Sequence, residues 1–432
     1  MAPSQLDRRG WRRLILYSSG LGLAGKIINF GTLTALAVFL SPAEFGHFSV
    51  AQLIITGAAS IVSSSFGMAA NTGVAHVSVV TGKMSPFEAV AYAIHSLRKH
   101  IGYTLIGLVV LVSLLYFVIM GGEFSYWVPL LGFTAISLVI TDIFIGAIAG
   151  LGAVRTAGSL DAARAMVAGA AALTLGIIFG PVGAAFGLVL FDAILAIVAL
   201  AVTLVTRKSS PQEDPAPNAS QIATVYAGIT TNGVAQIANW ALLAVIQATM
   251  GLAAVGTYSV ANRFATLVLL VPGFLAKNVL GELSRLREAR NFPSLRRVAS
   301  RYIAWILVCS AVAAVAASAI VHFAADSILP EYSGLTVLVL ILSIGAAFRA
   351  SATANGVVLV SLGARRDWIF SDLFATIVAI AWLSGSAIYF DSLEVLVAAT
   401  VASAFTCLVL RVLSMRKRLN DIESTSPVRL DE

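Results

Sequence analysis

GLAGKIINFGTLTALAVFLSPAEFGHFSVAQ, Gly22 to Gln52, occurs twice in this chain. Shifted by 210 positions it lies without a gap on Asn232 to Asn262. Identities fall at Ile27/Ile237, Asn29/Asn239, Leu33/Leu243, Ala43/Ala253, Gly46/Gly256, Ser49/Ser259, Val50/Val260 and Ala51/Ala261. A second block repeats at an offset of 211: Leu151-Gly152-Ala153 echoes Leu362-Gly363-Ala364, and Asp161 then falls on Asp372. Two distant blocks that share nearly one offset indicate a tandem duplication of one structural unit.

Around these blocks the chain is 59% hydrophobic and 11% charged, with mean hydropathy +0.92 over 432 residues. Soluble domains carry about 25% charge, so the composition is that of a membrane protein. Twelve apolar runs are long enough to cross a bilayer, at roughly 14–40, 48–79, 101–120, 128–150, 160–179, 184–205, 226–249, 257–280, 302–323, 335–359, 368–390 and 394–413. The basic start before the first run imitates a secretion signal. The run is too long for that, Lys26 interrupts it, and its repeat partner lies mid-chain, so it is read as the first span.

All but four of the 28 Lys and Arg are assigned to the two terminal segments and the loops on one side of this topology, those near a run's inner end being counted with the adjoining loop. By the positive-inside rule that side is the cytoplasm, with both termini on it. The net charge of +7 is therefore a topology signal and not a nucleic-acid footprint. The domain reading is an N-terminal six-helix lobe over 1–206, a Pro-rich cytoplasmic linker over 207–222, a second six-helix lobe over 223–413 and a cytoplasmic tail over 414–432. Ser85 to His100 and Glu282 to Arg301 read as amphipathic helices on the inner leaflet. The expected fold class is an all-α polytopic membrane protein, with twelve transmembrane helices in two parallel six-helix lobes around a central cavity.

The four remaining basic residues are Lys26, Arg263, Lys277 and Arg349, each inside an apolar run, where a charge costs about 2.5–3.5 kcal/mol unless it meets water or a partner. One reading makes them a cationic cavity lining for an anionic head group; the other is snorkelling or ion pairing, which suits Lys277 near the inner end of its run. Asp142 and Asp192 are the acids deep in the spans. They suit a coupling H+ or Na+, or equally charge balance against Lys26 or Arg349. Asp161 and Asp372 read as carboxylates against a helix dipole. Asn29 and Asn239 read as helix-to-helix glue, with sugar binding by Asn29, Asn239 and Asn262 as the other reading. Gly46 and Gly256 read as tight-turn glycines. No catalytic residue or metal ligand set is apparent. Cys309 and Cys407 lie within apolar runs, the five His are scattered, and no phosphate-binding loop occurs.

The turn Leu40-Ser41-Pro42-Ala43-Glu44-Phe45-Gly46 leading into Phe48-Ser49-Val50-Ala51 resembles the L-x-P-x-E-[FY]-G signature of the polysaccharide transporter, or O-antigen flippase, family. That family belongs to the multidrug/oligosaccharidyl-lipid/polysaccharide exporter (MOP) superfamily. Tyr258-Ser259-Val260-Ala261-Asn262-Arg263 with Pro272 is similar to the family's Y-x-x-A-x-R…P stretch, and Leu362-Gly363-Ala364-Arg365-Arg366 to its L-G-x-x-[RK] turn. The resemblance implies a non-enzymatic flippase of the bacterial inner membrane. It would carry undecaprenyl-diphosphate-linked oligosaccharide outward by alternating access, for O-antigen, capsule or exopolysaccharide synthesis. It matches Arg263 to a cavity arginine serving the substrate diphosphate. It implies the lipid-linked oligosaccharide, membrane lipids, a polysaccharide polymerase and a chain-length regulator as partners, no nucleic acid, and no cofactor beyond H+ or Na+. A cation-coupled multidrug or toxin extruder of the same superfamily is the alternative. A polysaccharide polymerase or ligase would need a large outward loop, and the longest here is about ten residues.

Overall fold

The computed structural model describes residues 8–81, 84–119, 127–209, 219–288, 291–390 and 392–425. Among these residues are ten helices: α1 (Arg8–Phe39), α2 (Pro42–Thr81), α3 (Pro86–Ile119), α4 (Trp127–Gly150), α5 (Val154–Ser209), α6 (Ala219–Glu288), α7 (Phe292–Ile328), α8 (Leu335–Ser361), α9 (Arg365–Tyr389) and α10 (Leu393–Thr425). Two of them are double. α5 is broken at Gly180 (φ 66°, ψ −153°), just before Pro181, and α6 at Gly251 (φ 80°, ψ −176°). Twelve helical segments result, in register with the twelve apolar runs. The apolar stretches Arg155–Thr206 and Gly228–Leu270 are 52 and 43 residues long, each enough for two crossings.

The repeated sequence blocks turn out to be helix boundaries. Ser41 and Glu44 form a reciprocal cap at the start of α2. The Ser41 N–H donates to Glu44 Oε2 at 3.0 Å and the Glu44 N–H to Ser41 Oγ at 3.4 Å, with Pro42 as the first helical residue. This is a capping box, and it explains physically why Ser-Pro-x-Glu belongs there. Ser85 and Glu88 repeat the device at α3, and the Ser85 backbone and hydroxyl bonds hold the Glu88 carboxyl below its ordinary pKa. The second block is a helix stop. Gly152 and Gly363 both adopt positive φ (80° and 78°), the left-handed conformation that ends a helix and that only glycine enters freely. Gly46 and Gly256, by contrast, are buried helical residues without positive φ; the turn glycine is Gly251.

The chain divides into two compact units, Met1–Gln236 and Ile237–Glu432. The boundary falls inside α6, fourteen residues past the linker expected at 207–222, of which 210–218 lie outside the described residues. In the first unit, side-chain amides tie the start of α6 to α2. Asn232 Nδ2 donates to Ser64 Oγ at 2.9 Å and Gln236 Nε2 to Ser60 Oγ at 3.2 Å. α2 lies on α4 and α1 on α5 through backbone-to-backbone seams, where a methyl on Gly146 would strike the Gly67 carbonyl and one on Gly25 would meet Ala162 O at 2.8 Å. Small residues of this kind let helices approach closely in lipid, where dispersion and not water exclusion drives packing. In the second unit, α8 lies between α7 and α10, and α9 packs on α10.

Apolar stripes such as Phe186, Leu190, Ile194 and Ile197 on α5 are 45–63% exposed. Such stripes fit contact with acyl chains. The two stretches expected on the inner leaflet pack on protein instead. Ala89, Val90, Ala93 and Leu97 of α3 are buried, and α3 continues unbroken into its span. Leu283 of α6 and Leu295 and Ala299 of α7 close on Val358 of α8, and Met415 and Leu419 of α10 join them. Their apolar faces found protein partners. α10 itself continues to Thr425, so helix occupies much of the expected tail.

Candidate functional site

Among the described residues, each unit carries a cluster of three charges where three consecutive helical segments meet. In the first unit, α4 supplies Asp142, the first segment of α5 supplies Arg164 and the second segment of α5 supplies Asp192. Arg164 Nη1 lies 2.7 Å from Asp142 Oδ1 and its Nε lies 2.8 Å from Asp192 Oδ1. Asp192 is 2% exposed and Asp142 is 24% exposed, so one carboxylate is sequestered and the other reaches toward solvent. Thr141, one residue before Asp142, donates to the Asp192 main-chain carbonyl at 3.2 Å and fixes the spacing of the two segments.

In the second unit, α8 supplies Arg349, α9 Asp372 and α10 Arg411. Arg411 Nη2 lies 2.7 Å from Asp372 Oδ2, and Arg349 Nη1 lies 3.4 Å from Asp372 Oδ1. Arg411 is wholly committed to the protein. Its Nε donates to Ser371 Oγ at 3.0 Å, its Nη1 to the Ala352 carbonyl at 3.0 Å, and its guanidinium sits 5.9 Å from the Trp368 ring centroid. Gly356 makes room for it, since a methyl there would meet Arg411 Nη1 at 2.8 Å. Arg349 is 35% exposed.

The two clusters share one plan with opposite signs. Each holds a sequestered neutral pair, Arg164–Asp192 or Arg411–Asp372. Each adds a more exposed third charge from the fourth segment of its unit, Asp142 (−) or Arg349 (+). The acids expected to balance Lys26 or Arg349 are held by Arg164, and Arg349 by Asp372. Asp372 is seven residues into α9, beyond the reach of a helix-end dipole, and its buried ion pairs replace the expected dipole role.

The other expected site residues are dispersed. Arg263 is half buried on α6, twelve residues after the Gly251 break, about 18 Å along the helix. The buried phenol of Tyr332 is near enough to act on it electrostatically. Lys26 is exposed on α1, beside the Gly25–Ala162 seam. Lys277 lies on α6, and its side chain is outside the described part of the structure. Asn29 is part of the α1–α5 seam, where a methyl on Gly169 would meet its Cα at 3.0 Å, whereas its repeat mate Asn239 is exposed. Asn262 is half buried next to Arg263. Among the described residues no group of His, Cys, Asp and Glu could hold a metal ion.

Arg164 and Arg411 escaped the sequence reading because every basic residue near an inward loop was assigned to that loop. Both fall inside the runs as drawn, 160–179 and 394–413, and that position was the signal available.

No protein-family model matches the sequence, and no curated protein matches it. Solved structures do. An inward-facing multidrug resistance MATE family transporter of the MOP superfamily superposes with a TM-score of 0.62 at 15% identity, covering 96% of each chain. An outward-facing one gives 0.65 at 16% identity, covering 96% of this chain and 97% of that one. The fold is that of the MATE family transporters. A MATE in complex with MaD5 agrees, with a TM-score of 0.63 at 16% identity over 98% of this chain and all of the other. The MATE fold lies in the superfamily to which the sequence motifs pointed, and its members here are transporters, not enzymes. At this identity the likeness concerns the fold alone.

Proposed function

We propose that this chain is an inner-membrane flippase that moves undecaprenyl-diphosphate-linked oligosaccharide repeat units outward by alternating access. The carrying observation is the charge inventory of the second unit. Within its apolar runs 257–280, 335–359, 368–390 and 394–413, Arg263, Lys277, Arg349 and Arg411 stand against Asp372 and Glu394, a positive excess inside apolar helices. Charges at such depth are costly and mark a ligand path by default, and an excess of guanidinium suits a diphosphate, which guanidinium binds in bidentate fashion. The motif around Arg263 supports the same cargo. Lys26, Lys277, Asn29, Asn239 and Asn262 are further candidates for contact with the sugar and phosphate groups. The polymerase and chain-length regulator that use such units are the expected functional partners.

Asp142 and Asp192, sharing Arg164, supply the carboxylate surplus that a counter-flowing H+ or Na+ would use. That surplus also favours the second reading, cation-coupled extrusion of drugs, the activity for which the neighbouring structures are described. Arg263→Ala at normal membrane abundance separates the two. Flipping predicts loss of surface polysaccharide, lipid-linked units retained on the inner leaflet, and partial recovery in Arg263→Lys. Full export by Arg263→Ala rejects the flippase role of Arg263, and drug hypersensitivity with intact polysaccharide in a deletion strain selects extrusion.

A further inference from the structure

Arg349 and Arg411 share one acceptor, yet their surroundings differ in a way that a purely structural ion network does not need. Arg411 is 4% exposed, with donors spent on Asp372, Ser371 and Ala352 and its face turned to Trp368. Removing it from Asp372 would strand a buried charge. Arg349 is 35% exposed and reaches Asp372 at the long distance of 3.4 Å. Its exposure is not toward the apolar stripe of its own helix. Val337, Leu340 and Ile344 form that stripe, each at least 42% exposed. Arg349 lies five residues beyond Ile344 and twelve beyond Val337, which at 3.6 residues per turn turns it roughly 120–140° away. Asp372 Oδ2 meets Arg411 and Oδ1 meets Arg349, so the carboxylate has one tightly held and one loosely held cation.

We propose that Asp372 is a positioning residue that stands in for an anionic ligand group at Arg349, with Arg411 as the fixed counter-ion that keeps Asp372 neutralised when Arg349 leaves it. The ligand group is of the phosphate class: a phosphate oxygen offers the acceptor geometry that Asp372 Oδ1 now supplies, and carries charge enough to outcompete a shared carboxylate. Arg349 thus exchanges one acceptor for another without an uncompensated charge at either stage. That gives α8 a ligand-dependent attachment to α9, because the Arg349–Asp372 bridge joins those two helices. Cys407 Sγ, 3.5 Å from Asp372 Oδ1, takes up part of the acceptor that Arg349 vacates. The proposal rests on the transport reading for its cargo, but the anion site itself is a property of α8, α9 and α10.

Inorganic pyrophosphate binding to the detergent-purified full chain, read by calorimetry, tests it independently of export. Arg349→Gln should weaken binding about tenfold or more, as expected for a lost charge-assisted contact, while Arg349→Lys keeps most of it. The double variant Asp372→Asn/Arg411→Gln removes the sequestered pair together, so no buried charge is stranded. It should bind pyrophosphate about two- to fivefold more tightly, the gain when one partly exposed ion pair no longer competes. A merely structural Asp372 gives no tightening. Wild-type affinity in Arg349→Gln, or unchanged or weaker affinity in a folded double variant, overturns the proposal. If the double variant does not fold, Asp372→Glu decides: a longer stand-in should alter pyrophosphate affinity at unchanged melting temperature, and unaltered affinity overturns the proposal. Loss of pyrophosphate binding with polysaccharide export intact would leave the anion site standing and reject only its assignment to that cargo.

Discussion

Asp142–Arg164–Asp192 in one unit and Arg349–Asp372–Arg411 in the other occupy corresponding segments and carry opposite net charge. A duplication starts with identical halves, so the inversion arose afterwards, by substitution at different positions. At the repeat offset of 211, Asp372 answers to Asp161 and not to Arg164, and Arg411 answers to Leu200. What persisted is a place where three segments meet and can hold charge; which residues hold it, and of which sign, was free to change. The helix boundaries show a second contrast of this kind. Ser41, which caps α2 with Glu44, answers at the offset of 210 to Gly251, which breaks α6 with an extended, positive-φ backbone.

The largest effect should come from removing the shared guanidinium of the first cluster. Arg164→Met leaves two carboxylates and no cation, and the expected loss is about 3–5 kcal/mol. Arg411→Met should cost less, about 1–3 kcal/mol, because Arg349 stays beside Asp372 as a reserve cation. Thermal unfolding of the purified variants checks the order, and a larger loss in Arg411→Met would show that Arg349 is no reserve. Next, Gly251→Ala forces a side chain into a region of backbone space nearly confined to glycine, at about 1–3 kcal/mol. The matching change Ser41→Ala forfeits one cap, at about 1 kcal/mol. Equal melting temperatures for this pair would mean that the two turns are not built by different devices. The smallest stability effects belong to Asp142→Asn and Arg349→Gln, under about 1 kcal/mol each, since both are partly exposed ends of ion pairs. Transport is nevertheless expected to fall in both, and a transport assay in vesicles at matched protein levels would show it.

The twelve segments and the duplication were legible because hydropathy and repeated boundary residues are local signals. Ser41, Glu44, Gly152 and Gly363 act within their own turn, and their spacing carries the information. The ion clusters were only half legible. Asp142, Asp192 and Arg349 stood out by depth, but their partners Arg164 and Arg411 lie near basic loop residues and differ from them only in which neighbour they meet, a relation of 22 to 39 positions that no short window along the chain contains. The leaflet helices were misread for the same reason. Ala89, Val90 and Ala93, or Leu283 and Leu295, form an apolar stripe whether lipid or another helix lies opposite. The repeated Asn29/Asn239 pair differs in exposure, Asn29 half buried and Asn239 exposed, so shared ancestry did not preserve a shared degree of burial.

The contact of Gly67 with Gly146, continued by Gly150 against the Asn71 carbonyl, brings the backbones of α2 and α4 together along that stretch with almost no side-chain layer between them. Such a seam has no compliance of its own, so the pair behaves as one stiff plank. Whatever reshaping a transport cycle asks of this unit must be taken up elsewhere, and mutational tolerance along the plank should read as a strip permitting nothing larger than hydrogen.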